Sequence, residues 1–132
     1  MLVELFVEVF FIKIKVKGYL QNVTENTKET IDTFGIKNKD TISYILNDTK
    51  HKITISNNKI LLIRDNQEFL HKIEFELNKE KETEYYIKEL STSIYLFIQT
   101  TYLSINENLI EIHYKVIDSQ EEYIYLIEMS DR

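Results

Sequence analysis

The sequence predicts an all-β domain, a single antiparallel barrel of about eight to ten strands in a mostly up-and-down order. Three observations lead there. Apolar and polar residues alternate with a period of two in almost every segment, as half-buried strands require. Polar, turn-like clusters interrupt the alternation at intervals of roughly eight to twelve residues, and no segment carries a capped helical stripe. The apolar residues are mostly β-branched or aromatic, while 132 residues include no proline, no alanine and two glycines, a composition suited to pleated strands. Connections of hairpin size favour a barrel over a Greek-key sandwich. Closure also removes sheet edges that no proline is present to guard.

The elements follow in order. Residues 2–18 read LVELFVEVFFIKIKVKG. The second half sets Ile12, Ile14 and Val16 on one face and Lys13, Lys15 and Lys17 on the other. Glu4 and Glu8 fall on even positions and the lysines on odd ones, so the outward side must switch near Phe10-Phe11. A β-bulge there makes that switch, and the residues before it either close the barrel or pair with a second copy. QNVTEN breaks the pattern. KETIDTFGIK is a weaker strand in which Gly35 marks a bulge. TISYILN keeps Ile42, Tyr44 and Leu46 in phase, and HKITIS does the same for His51, Ile53 and Ile55. Asn57-Asn58 makes a two-residue hairpin loop, since asparagine tolerates positive φ. KILLIR, the turn DNQE and FLHKIEFEL come next, then NKEKETE, a polar loop or frayed hairpin end. EYYIKEL precedes SIYLFIQTTYLSI, which is apolar on both sides and central. LIEIHYKVI, the turn DSQE and EYIYLIEM complete the set.

One domain spans residues 1–132 by the length prior, and a chain of this size buries roughly 68% of its unfolded surface. No cysteine is present, which removes disulfides, thiolate metal sites and a cysteine nucleophile and suits a reducing cytoplasm. The amino-terminal apolar run lacks a preceding positive charge and a small-residue cleavage site, and it is too short to span a bilayer. A cytoplasmic protein away from membranes is expected, and the sequons at Asn22 and Asn47 then carry no glycan. A net charge of −6 argues against binding phosphate backbones. The row Lys13, Lys15, Lys17, with Lys37 and Lys39, reads as a solvated face that discourages aggregation, and no nucleic-acid partner is expected.

FIKIKVKG with its polar break, ITISNNKILLIRDN with an arginine before its second turn, HKIEFEL, SIYLFIQTTYLSI up to NEN, and LIEIHYKVI before the last strand occur in an order that resembles the YwiB-like bacterial family of lipocalin-like (calycin-type) barrels. The resemblance runs from about Phe10 to Met129. Where that family tends to carry glycines, this chain reads DNQ and LSTS. The resemblance implies a barrel able to fill with side chains or to hold a small ligand. It implies no activity.

The candidate site comes from hairpin register. Pairing across Asn57-Asn58 sets Ser56 opposite Lys59 and therefore His51 opposite Arg64. The simplest pairing across DNQE sets Leu62 opposite His71. Cross-strand neighbours share a side, so His51, Arg64 and His71 gather near one mouth of the barrel. Arg64 suits an anion or carboxylate, with the histidines as hydrogen-bond partners. The competing reading is a satisfied polar patch at the rim. Tyr114, in phase with Ile110, Ile112 and Val116, joins them, since aromatic walls grip flat ligands. His113 shares a face with Glu111 and Lys115 and points to solvent. A guanidinium beside two histidines repels a metal cation, so neither metal nor cofactor is expected. No glycine-rich phosphate loop, G-x-S-x-G or H-E-x-x-H occurs, and no catalytic residue is nominated. The expected function is a non-catalytic binding module for a small, partly apolar ligand with an anionic group. The alternative is a structural or interaction domain with a filled barrel, acting through a homodimer or edge-strand interface. An enclosed pocket of several hundred Å³ with Arg64 and a histidine converging on it would favour the former, and a packed interior would rule out a ligand held in the barrel.

Overall fold

Ten antiparallel strands follow one another along residues 12–131, the part of the chain that the computed structural model describes. They are β1 (Ile12–Asn22), β2 (Thr27–Asn38), β3 (Thr41–Leu46), β4 (Thr49–Ser56), β5 (Lys59–Asp65), β6 (Phe69–Glu76), β7 (Glu80–Ile87), β8 (Thr92–Ile105), β9 (Leu109–Val116) and β10 (Glu122–Asp131). Each pairs with the next, and β1 also pairs with β10, so the sheet is a closed up-and-down barrel. No helix among the described residues is long and apolar enough to cross a membrane. The switch of sides expected at Phe10-Phe11 lies outside the described residues.

Alternation decides which residues fill the lumen. Ile14 and Val16 of β1 are buried between exposed Lys13 and Lys17. The same rhythm buries Ile53 on β4, Ile60 and Leu62 on β5, Ile73 and Phe75 on β6, Ile110 and Ile112 on β9, and Ile127 and Met129 on β10. Full burial of each such side chain contributes roughly 1.5–3 kcal/mol relative to exposure. The turns use asparagine in place of the missing glycine. Among the described residues, five of the nine non-glycine residues at positive φ are asparagines, the residue type that most readily enters the left-handed region after glycine. Asn57 and Asn58 both lie there and close the β4–β5 hairpin with two residues, as do Asn47 and Asp48 between β3 and β4.

Three details differ from the sequence reading. Gly35 makes no bulge: β2 pairs without interruption on both sides of it. Its lack of a side chain permits a close approach instead, because a Cβ there would lie 2.6 Å from the Ser43 carbonyl oxygen. The irregularity falls in β8, between Thr100 and Tyr102. The segment NKEKETE is mostly strand, with Glu80–Ile87 forming β7. Its alternation is hidden from hydropathy because Thr83 holds the buried place and Lys81 binds Glu74 at 3.0 Å and Glu76 at 3.1 Å. Finally, the β5–β6 loop is tighter than DNQE suggests. The Asn66 side-chain oxygen accepts from the Glu68 and Phe69 amides at 2.8 and 2.9 Å, an Asx turn that needs only two loop residues. The register moves by two residues, so Leu62 faces Ile73 and Arg64 faces His71. A shift of two preserves the side.

Gly18 sits on the closing seam, where a Cβ would lie 1.8 Å from the Leu126 carbonyl oxygen. Gly18→Ala is expected to destabilise the protein by about 3 kcal/mol or more by forcing β1 from β10. A urea unfolding curve checks this, and an unchanged midpoint would refute the seam geometry.

Candidate functional site

The turns β1–β2, β3–β4, β5–β6, β7–β8 and β9–β10 share one end of the barrel, and the polar lumen residues gather there. Direct cross-strand partners form a row: Tyr44 opposite His51, His51 opposite Arg64, Arg64 opposite His71, and His71 opposite Tyr85. Two residues further from that end, Ile53, Leu62 and Ile73 stand in the same phase and are buried. The row therefore faces inward.

Each side chain is held by named neighbours. The Tyr44 and His51 rings stack with centroids 4.5 Å apart and planes within 7°. The Tyr44 hydroxyl meets the Tyr125 hydroxyl at 2.5 Å, which ties β3 to β10 across the lumen. His51 Nδ1 donates to the Thr49 carbonyl at 3.2 Å. A carbonyl only accepts, so in the neutral ring the proton sits on Nδ1 and Nε2 is left as an acceptor. His71 meets Tyr85 edge-on at 5.1 Å, and its Nδ1 is buried with no hydrogen-bond partner among the described residues. The Arg64 guanidinium lies 5.7 Å from the Phe69 ring. Among the described residues it makes no ion pair with any acid. Tyr114 stands between Phe75, at 5.0 Å, and Tyr123, stacked at 5.1 Å. Asn22 closes this side, donating to Glu121 at 3.0 Å and to the Tyr123 hydroxyl at 3.3 Å.

The enclosed space bounded by Tyr44, His51, Leu62, Arg64, Tyr114 and Tyr125 is about 20 Å³. Holding one water takes roughly 10–15 Å³, whereas small-molecule pockets run to roughly 300–1,000 Å³. The barrel is filled, because Phe75 and a ring of isoleucines occupy its centre. This overturns the expectation of a small, partly apolar ligand held inside the barrel, which has no room there. His71 stands beside this cavity, within reach of the Arg64 field but outside its wall. His113 faces outward, with Nε2 at 2.6 Å from Glu111. No three His, Asp or Glu side chains converge as metal ligands among the described residues.

Charge in this region is set by burial. Burial first, and then the Arg64 guanidinium, push His51 and His71 down to about 4, so both rings are neutral at pH 7. Burial raises the Tyr44 hydroxyl to about 12 and lifts Tyr114 and Tyr125 as well. Arg64 is then the cation on a cavity wall that also carries the Glu29 carboxylate, and no ion pair joins the two among the described residues. Sequence reasoning left Tyr44 and Tyr125 out of the candidate site, although both stand on expected strands. Their pairing depends on β10 meeting β1, a contact between distant segments that no local pattern announces.

A crystal structure of the ywiB protein from Bacillus subtilis matches with a TM-score of 0.63, covering 93% of this chain and 92% of that one at 15% sequence identity. The two chains share a fold. The ywiB likeness carries the barrel, not a ligand or a residue's role. No protein-family model matches the chain, and no curated protein does.

The histidines make stability depend on pH. Their folded values lie below the ordinary 6.5, so the unfolded chain binds more protons. Their contribution is complete above about 6.5 and is lost as pH falls towards 4, at most about 3 kcal/mol for each ring. Unfolding curves at pH 7 and pH 4.5 should differ accordingly, and the difference should shrink in a His51→Gln/His71→Gln variant. An equal pH response in that variant would contradict the buried neutral rings.

Proposed function

We propose that the protein is a non-catalytic binding module that takes a small anionic group, a carboxylate or phosphate, at the barrel end bounded by Arg64, His51, His71 and Tyr114. The supporting observation is Arg64, a cation on the wall of a lumen cavity; Glu29 shares that wall, yet neither it nor any other acid is paired to Arg64 among the described residues. A partly desolvated cation gains most from an anion that it can hold by charge-assisted hydrogen bonds. Neutral His51 and His71 add no competing positive charge, and the tyrosine hydroxyls nearby can donate. A cavity of about 20 Å³ has room for about one water, so the anionic group would rest at the barrel end against Arg64, with any apolar portion of the ligand outside it. A chain without cysteine suits a reducing cytoplasm.

A second reading has its own support. The packed lumen fits a structural or interaction domain whose outer surface does the work. Closure leaves no free sheet edge among the described strands, so such a domain would act through an outward face.

Titrating the full protein with inorganic phosphate and with acetate, followed by NMR shifts of the His51 and His71 rings, tests the first reading. Saturable shifts are expected, and Arg64→Leu should weaken binding tenfold or more while far-ultraviolet circular dichroism stays unchanged, since a hydrogen bond to a charged group contributes about 1.5–3 kcal/mol. No shift with either anion, or equal affinity in Arg64→Leu, would overturn it.

A further inference from the structure

The outer surface carries two apolar patches of opposite electrical character. On β2 and β3, Ile36 is 46% exposed and Ile45 is 61% exposed. Lysines flank them as direct strand neighbours: Lys13 lies opposite Ile36, and Lys50 lies opposite Ile45. Lys52, opposite Ser43, completes the rim. These three lysines are exposed and take part in no ion pair among the described residues. On β8, Tyr95 is 54% exposed and Phe97 is 47% exposed. Here the neighbours are acidic, with Glu84 opposite Tyr95 and Glu82 opposite Phe97, and Glu80 one step beyond opposite Gln99. Glu80 and Glu82 are exposed and make no ion pair among the described residues.

The two patches lie on opposite walls. Strands β2 and β3 are five places from β7 and β8 in a ring of ten. An apolar centre with a charged rim is the usual composition of a protein interface, and here each patch supplies the rim charge that the other lacks. We propose that the occupant of each patch is the opposite patch of a second copy of this chain, with Ile36 and Ile45 set against Tyr95 and Phe97 inside a ring of lysine–glutamate pairs. Such a contact is heterologous. Because its two halves stand on opposite walls, it does not close in a pair, and each added copy leaves one patch of each kind open. The product is a linear stack whose length grows with concentration. With a net charge of −6 on every copy, general repulsion opposes the stack and keeps the contact reversible.

Sedimentation velocity of the full chain across a wide concentration range tests the proposal. The mass is expected to rise from the 15.9 kDa monomer through successive multiples without a fixed stop. Ile45→Glu spoils the lysine-rimmed patch and Phe97→Lys the glutamate-rimmed one. Both positions are exposed, so both variants should keep the barrel, with Tyr95→Lys as a second variant of the acidic wall. Either variant alone should stay monomeric, with at least tenfold weaker association. Mixed in equal amounts, Ile45→Glu and Phe97→Lys should form a dimer that grows no further, since each retains the patch that the other needs. A wild-type monomer at every concentration would overturn the proposal. So would a dimer that persists in both variants, or one that each variant abolishes and mixing fails to restore, because that result marks a self-complementary interface.

Discussion

Strand β1 is hydrogen-bonded to β10 on one side and to β2 on the other, and that double pairing fixes everything inside the barrel. Side chains alternate strictly along each strand, so a slip of one residue would turn Lys13, Lys15 and Lys17 into the lumen and Ile14 and Val16 out. The seam is tight where Gly18 passes the Leu126 carbonyl. Once it is closed, the short hairpins from β2 to β6 have their registers set by two-residue turns. Those turns bring Tyr44, His51, Arg64 and His71 into a single row. Closure also leaves no described strand with a free edge.

The lumen divides into two parts with different physics. Its centre is filled by Phe75, Ile53, Ile60, Ile110, Ile112 and Ile127, packed so that burial supplies stability and leaves no ligand-sized void. The turn-bearing end mixes aromatic rings with the Arg64 guanidinium and the Glu29 carboxylate. There the same burial that stabilises the centre acts against charge, keeping both histidines unprotonated and the tyrosines un-ionised. Arg64 is the cation at that end. The cost of holding it beside an apolar core is lowered by the Phe69 ring on one side and would be lowered further by an anion.

Much of this was legible in the sequence, and for identifiable reasons. Period-two patterning and asparagine turns revealed the strands from Ile12 onward. Asn57-Asn58 revealed the pairing of His51 with Arg64, because a two-residue loop permits only one register. His71 was placed on the correct side although its register was off by two, since the Asx turn at Asn66 depends on a side-chain hydrogen bond that composition does not display. The first half of the strand Glu80–Ile87 was hidden because charge carries its alternation, while EYYIKEL marked the second half. Gly35 looked like a bulge and is a site of close strand approach. The wall pair Tyr44 and Tyr125 and the size of the cavity were beyond reach, because both follow from how opposite walls pack across the lumen.

The account as a whole rests on Arg64 pointing into a packed barrel end as an unpaired cation. Crystals grown in bromide, measured for anomalous scattering at the bromine edge, test that placement most directly. The account predicts an anomalous peak within hydrogen-bonding distance of the Arg64 guanidinium, inside the wall formed by Tyr44, His51, Tyr114 and Tyr125. A guanidinium turned to bulk solvent, or paired with a carboxylate of the chain and bare of bromide, would contradict it.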